Sequence, residues 1–257
     1  MKRFQLFEFT DLPWWPRALR NSLTDFLEVL LLISRPFGPK TAMLSEIMKI
    51  TQQTRFIDLC SGSGGPWLNL IEDLRKQSGE NISVVLTDKY PNPEISNKLA
   101  PDSGITYFSR SIDVLAVPKE LDGIRTLFNG FHHFPPDIAA AIIQDAVKNN
   151  QPIVIFEMLN RSWLDFFYFL LTPINVWLLT PLIRPVTIKR FLLTYIIPIA
   201  PFVITWDSIV SIMRCYTPKE LLVMAHQADS KRYVWEAGYY RRRGLPVTYL
   251  IGHPIRQ

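Results

Sequence analysis

An α/β fold, a parallel sheet covered on both faces by helices, is predicted from three observations. Strand-like and helix-like segments alternate from Arg55 to Met158, and one strand runs into the glycine-rich turn Gly62-Ser63-Gly64-Gly65. Hydrophobic residues make up 48% of the 257 and charged residues 20%, enough apolar surface to offset the entropy of ordering, which excludes a disordered chain. Cys60 and Cys215 are too few for a disulfide framework or a cysteine-rich zinc site, so a reduced, cytoplasmic compartment is expected. The net charge of +5 favours an anionic surface such as lipid head groups and is too small to argue for nucleic acid.

Residues 1–54 read as an amphipathic helical region. Glu8 and Asp11 interrupt the apolar run that a secretory leader needs, so export is not expected. From Trp14 to Leu32 the residues Trp15, Leu19, Leu23, Phe26, Leu27, Leu30 and Leu31 share one side of a helix, and Arg17, Arg20, Asn21, Thr24 and Glu28 share the other. Asp11 with Pro13 marks its start and Arg35-Pro36-Phe37-Gly38-Pro39 its stop. Such a helix either packs on a core or lies on a membrane surface.

Residues 55–257 read as the α/β domain. Phe56–Leu59 is the first strand and leads into the turn; Trp67–Lys76 follows with helical spacing. Ser83–Asp88, Ile105–Ser109, Arg125–Asn129 and Gln151–Glu157 are the next four strands, with a helix from Pro136 to Lys148 that carries proline in its first turn. After a helix begun by Thr217-Pro218-Lys219-Glu220, two β-rich runs, Tyr233–Tyr240 and Pro246–Gly252, flank Arg241-Arg242-Arg243-Gly244 as a hairpin.

The chemistry concentrates in Asp58-Leu59-Cys60-Ser61-Gly62-Ser63-Gly64-Gly65-Pro66, where glycines allow a tight turn and let a ligand approach the backbone. The run lacks the Lys-Ser/Thr ending of a nucleotide P-loop, and Trp67 stands where a dinucleotide fingerprint has its third glycine. An acid opening the turn repels phosphate and attracts an ammonium group.

With Asp58, Gly62 and Gly64 at this spacing, the sequence resembles the class I S-adenosylmethionine-dependent methyltransferases; Cys60 stands where their first glycine is usual. The resemblance implies a Rossmann-like seven-stranded sheet with S-adenosylmethionine as cofactor. It implies that Asp88, 24 residues after Gly64, takes the two ribose hydroxyls, and that Asp113, after Ile112, lies beside the adenine. It brings Cys60 and Ser61 of the turn, and Asn129 of the loop after the fourth strand, toward the cofactor. It covers Phe56 to Glu157 and, more loosely, the closing hairpin.

For the acceptor side, His132 and His133 follow the fourth strand, and imidazole suits a general base near neutrality. The alternative is a pair of histidines that only packs the loop. The Asn-Pro-Pro-Tyr box used on amide-like nitrogens is absent, with Asn129-Gly130-Phe131-His132 in its place. Glu157 and Asp207 are expected near the mouth of the site as structural or substrate-positioning acids.

An apolar helical insert follows the fifth strand at about 160–206. Trp163–Ile183 contains one charge, Asp165, and Phe191–Trp206 contains none. If one sheet holds all seven strands, the insert cannot cross a bilayer an odd number of times. A re-entrant or interfacial cap, or a soluble lid over a greasy substrate, remains.

The expected function is methyl transfer to a lipophilic small molecule or lipid at a membrane surface, on a hydroxyl, with peripheral or monotopic attachment. N-methylation of a lipid head-group amine, and a non-catalytic cofactor-binding protein with a partner-docking insert, stay open.

Overall fold

The computed structural model describes residues 1–12, 14–38, 41–62, 64–91, 95, 99–229 and 231–255. Pro13 and Pro39, placed by sequence at a helix start and stop, and Ser63 of the turn lie outside them. In chain order the elements are α1 (Arg17–Ser34), α2 (Thr41–Thr51), β1 (Arg55–Asp58), α3 (Trp67–Ser78), β2 (Ser83–Leu86), β3 (Ile105–Tyr107), β4 (Ile124–Phe128), α4 (Pro136–Lys148) and β5 (Ile153–Glu157). They continue as α5 (Trp163–Phe169), α6 (Thr172–Leu179), α7 (Ile188–Phe191), α8 (Ile199–Arg214), α9 (Pro218–Ala228), β6 (Tyr233–Arg242) and β7 (Leu245–Pro254). The chain divides into two units, Pro36–Met158 with Thr217–Gln257, and Met1–Arg35 with Leu159–Tyr216.

The first of these holds the sheet. Strands covered on both faces need continuous apolar runs, and β4 and β5 are buried at every position. The strand order is β3-β2-β1-β4-β5-β7-β6, with β1 to β5 parallel and β7 antiparallel to both β5 and β6. The order reverses between β1 and β4, and that reversal opens a crevice at the carboxyl ends of the strands. Trp67 is fully buried and packs on Phe56 with ring centroids 4.8 Å apart. Arg125, buried in β4, is neutralised by Asp145 of α4 at 2.6 Å. Thr217 and Glu220 start α9 with reciprocal side-chain caps, as their spacing predicts. Sequence alone passes over α2, which buries Leu44, Ile47 and Met48.

In the other unit α1 begins at Arg17, three residues later than its apolar pattern. Trp15 precedes Pro16 and is steered away from helical dihedrals, so the helix starts only after that proline. Phe26 of α1 packs with Val176, Ile183 and Ile204. The amino-terminal strip is pinned to α8: Asp207 accepts the Phe9 and Thr10 N–H groups at 2.8 and 3.2 Å, and Arg214 pairs with Glu8 and Asp11 at 3.2 and 2.7 Å.

The insert is a series of broken helices. The pair Trp163–Phe169 and Thr172–Leu182 bends by 42°, and the pair Ile188–Ile196 and Ile199–Arg214 by 76°. Pro201 sits in the first turn of α8, where its missing N–H costs nothing, so the helix runs past Trp206 to Arg214. No single described helix is long and apolar enough to cross a membrane; the two bent pairs meet that test only when each is taken together.

Candidate active site

After β1 the chain must reverse into α3 within a few residues. Cys60, Gly62 and Gly64 take φ values of +57°, +52° and +95° to do so, a region that side chains other than glycine rarely enter. A Cβ added to Gly62 would meet no atom within 4 Å, so the turn is open on that side; one added to Gly64 would lie 3.3 Å from Leu86 Cδ1. Ser61 ties the turn to the end of β2. Its N–H donates to the Thr87 carbonyl at 2.9 Å, its hydroxyl accepts the Thr87 N–H at 3.1 Å, and the same hydroxyl donates to the Asp58 carbonyl at 2.8 Å.

Asp88 stands just past β2 with its carboxylate fixed against the turn. Oδ2 accepts the Gly62 N–H at 2.9 Å and Oδ1 the Tyr90 N–H at 2.8 Å, which leaves each oxygen a further acceptor site. The Ile112 N–H donates to the Asp88 carbonyl at 3.0 Å and draws the loop after β3 alongside. Asp113 on that loop takes the Leu115 N–H at 3.0 Å and Lys89 Nζ at 2.9 Å, and these hold its carboxyl below the usual range. A Cβ added to Gly130 would lie 3.5 Å from Cys60 Cβ, so the loop after β4 borders the turn. Asn129, at φ +55°, bridges β4 to the end of β5 through its N–H on the Phe156 carbonyl (2.9 Å) and its Oδ1 under the Met158 N–H (2.7 Å).

The first four strands thus bring Asp58, Cys60, Ser61, Gly62, Gly64, Asp88, Ile112, Asp113 and Asn129 to one edge of the sheet. Asp58 is enclosed and carries an ionisable group. Burial raises its carboxyl to about 7 against the opposing hydrogen bonds, among them the Thr126 hydroxyl at 2.7 Å. Burial first, then Asp88, Asp58 and Asp113, pushes the Cys60 thiol up to about 12, so it stays protonated at neutral pH. Carboxylates around a glycine turn suit a cationic, hydroxyl-bearing ligand and oppose a phosphate.

His132 and His133 lie in a single 3-10 turn, Phe131–His133, after β4. Glu157, the last residue of β5, organises this turn. Its Oε1 accepts the Phe131 and His132 N–H groups at 2.6 and 3.3 Å, and its Oε2 meets His132 Nδ1 at 2.5 Å. A carboxylate there assigns the proton to Nδ1 and makes Nε2 the basic atom of that ring. His133 is half-buried and lies against His132, ring centroids 4.2 Å apart. Asp207 belongs to the other unit, where it holds the amino-terminal strip. Two features escape sequence reasoning: Thr126, a lone hydroxyl in an apolar strand, and the pairing of Glu157 with His132. The only sequence signal for the second is an acid closing an otherwise apolar strand.

The chain superposes on human N-acetylserotonin methyltransferase, solved in complex with S-adenosylmethionine, with a TM-score of 0.53 and 12% identity over 93% of this chain and 57% of that one. It superposes on a proposed O-methyltransferase of Nostoc punctiforme with a TM-score of 0.51 and 12% identity, over 98% of this chain and 64% of that one. It therefore spans less than two thirds of the length of either. No protein-family model and no curated protein matches the sequence. At such identity the likeness bears on the fold.

Proposed function

From a chain that has the class I S-adenosylmethionine-dependent methyltransferase fold, we propose methyl transfer from that cofactor to a hydroxyl of a lipophilic small molecule or lipid met at a membrane surface. The observation that carries this reading is the glycine turn, open at Gly62, with the Asp88 carboxylate fixed against it.

The residues fit the cofactor. Asp88 retains an acceptor site on each oxygen for two ribose hydroxyls, Ile112 and Asp113 sit beside it for the adenine, and Asp58, Cys60, Ser61, Gly62, Gly64 and Asn129 shape the methionine end. Bound there, the cofactor supplies an electrophilic methyl group on a sulfonium. The chain's own part is to align the acceptor, exclude water and take the hydroxyl proton. Access favours His133 as the base, since it is half-buried where His132 is enclosed. Glu157 and His132 are the positioning pair: the carboxylate orients the ring, and the ring supports His133 and places a negative charge near the imidazolium that forms.

Calorimetry with S-adenosylmethionine and its demethylated product tests the binding, and incubation with labelled cofactor and a lipid extract tests the transfer. Absence of heat with both ligands overturns the reading. Heat without labelled product favours the non-catalytic alternative.

A further inference from the structure

The insert is turned inside out. Leu164, Leu178, Ile188, Ile196 and Phe202 are 65–81% exposed, whereas Asp165, Thr172, Thr180, Arg190 and Thr194 are 0–8% exposed. In water both halves of that arrangement are unfavourable, because apolar area stays hydrated and polar groups lose their solvent. The arrangement is favourable when the outer medium is itself apolar.

Several of the buried polar groups find partners within the unit, as groups beside hydrocarbon need to, while Arg190 Nε has no partner among the described residues. Asp165 accepts from the Ser162 hydroxyl at 2.6 Å and from Asn160 Nδ2 at 2.8 Å. Arg190 pairs with Asp25 of α1 and donates to the Pro185 carbonyl at 2.7 Å. Trp177 Nε1 donates to the Thr194 carbonyl at 3.3 Å, and the Tyr195 hydroxyl to the Trp177 carbonyl at 2.6 Å.

Charge selects the medium. Between Phe166 and Trp206 the charged residues are Arg184, Lys189 and Arg190, with no acid among them. Arg190 points inward, so the exposed charges are the two cations Arg184 and Lys189. A protein partner could match an apolar face of any charge, but an anionic head-group layer over hydrocarbon matches this one in both respects. The bends of 42° and 76° give neither helix pair a straight course across a hydrocarbon core of about 30 Å, which suits entry into one leaflet.

We propose that the Leu159–Tyr216 segment seats its apolar face in one leaflet of an anionic bilayer, with Arg184 and Lys189 on lipid phosphates. This deepens the membrane surface named in the proposed function and rests on that reading for its purpose; the observations behind it do not involve the cofactor.

Flotation of the full chain with phosphatidylcholine vesicles, with and without phosphatidylserine, tests it. The wild-type protein is expected to float, and more strongly with phosphatidylserine. Arg184→Gln with Lys189→Gln should weaken binding to the anionic vesicles roughly thirtyfold, at about 1 kcal/mol for each cation and a factor of ten for each 1.4 kcal/mol. Leu178→Asp with Ile196→Asp should abolish flotation while leaving the thermal transition in place, since both side chains are exposed. A wild-type chain that is monodisperse without detergent and does not float overturns the proposal, and a detergent-free dimer that does not float assigns the face to a second copy. Flotation indifferent to both double variants also overturns it. Cofactor heat is measured on the same samples: flotation without heat defeats the methyltransferase reading alone, and heat without flotation defeats the bilayer seat alone.

Discussion

The Thr126 hydroxyl donates to Asp58 Oδ1 at 2.7 Å across neighbouring strands, and Trp67 Nε1 donates to the same hydroxyl at 3.3 Å. One hydroxyl therefore joins β1, β4 and the first residue of α3 at the point where the glycine turn begins. The junction admits a carboxylate to a site that excludes water. Burial outweighs its hydrogen bonds, and the carboxyl titrates near neutrality.

Stability should therefore fall with pH across a defined window. The unfolded chain ionises Asp58 near the ordinary carboxylate value of 3.8, whereas the native chain keeps it protonated until about 7. The stabilisation is complete below the lower value, is lost progressively as pH rises from there, and is gone above the upper one, a change on the order of 4 kcal/mol. Asp58→Asn cannot ionise, so its melting temperature should exceed that of the wild type at pH 8 and approach it at pH 4. If the ionised form attracts a cationic ligand, wild-type affinity for S-adenosylmethionine should rise through pH 7 and that of Asp58→Asn should stay flat. Melting curves with the same gap at both pH values would contradict this account.

Much of the sheet is legible in sequence because its central strands are buried on both faces and read as unbroken apolar runs, and because the turn needs glycine where φ is positive. What escapes is non-local. That Asp58 is enclosed depends on Thr126 from a strand 68 residues away, and the role of Glu157 depends on a loop that meets it only through the pairing of β4 with β5. The start of α1 is misplaced because the apolar pattern runs through Trp15 while Pro16 governs the backbone. In the insert the high apolar content is plain, but the inward direction of Asp165, Thr180 and Thr194 appears only once the helices bend.

Removal of the Asp88 carboxylate should weaken cofactor binding with little effect on the fold, since the N–H groups it accepts lie at the surface. Two charge-assisted hydrogen bonds to ribose are worth about 2–3 kcal/mol, so Asp88→Ala should raise the calorimetric Kd roughly 30- to 200-fold. Asp88→Asn, which retains one acceptor oxygen, should fall between. Unchanged affinity in Asp88→Ala would remove this residue from the site.

The two histidines should separate by kinetics. His133→Ala should lower kcat by about 100-fold or more with the cofactor Kd unchanged, the signature of a lost base. Glu157→Gln should also lower kcat and leave the cofactor Kd alone, because it loosens the ring against which His133 rests. Glu157→Ala should cost stability as well, about 2–4 kcal/mol, because it removes a buried acceptor from the Phe131 and His132 N–H groups. Full activity in His132→Ala and His133→Ala across neutral pH would take histidine out of the mechanism and favour an amine acceptor.

Arg190 and Asp25 make a charged tie between the insert and α1, 165 residues apart in sequence. The guanidinium is enclosed while the carboxylate is about one-third open, so the ion pair itself contributes little net stability. Breaking it from one side is different. Asp25→Ala leaves a buried cation on two backbone carbonyls of the Ile183–Pro185 bend and should destabilise the unit by about 2–3 kcal/mol. Asp25→Ala combined with Arg190→Met removes the stranded charge and fills its volume with an apolar chain, so most of that loss should return. Denaturant unfolding of both variants, with wild type alongside, decides it: a double variant no more stable than Asp25→Ala would mean that Arg190 matters through its carbonyl contacts and not through its charge.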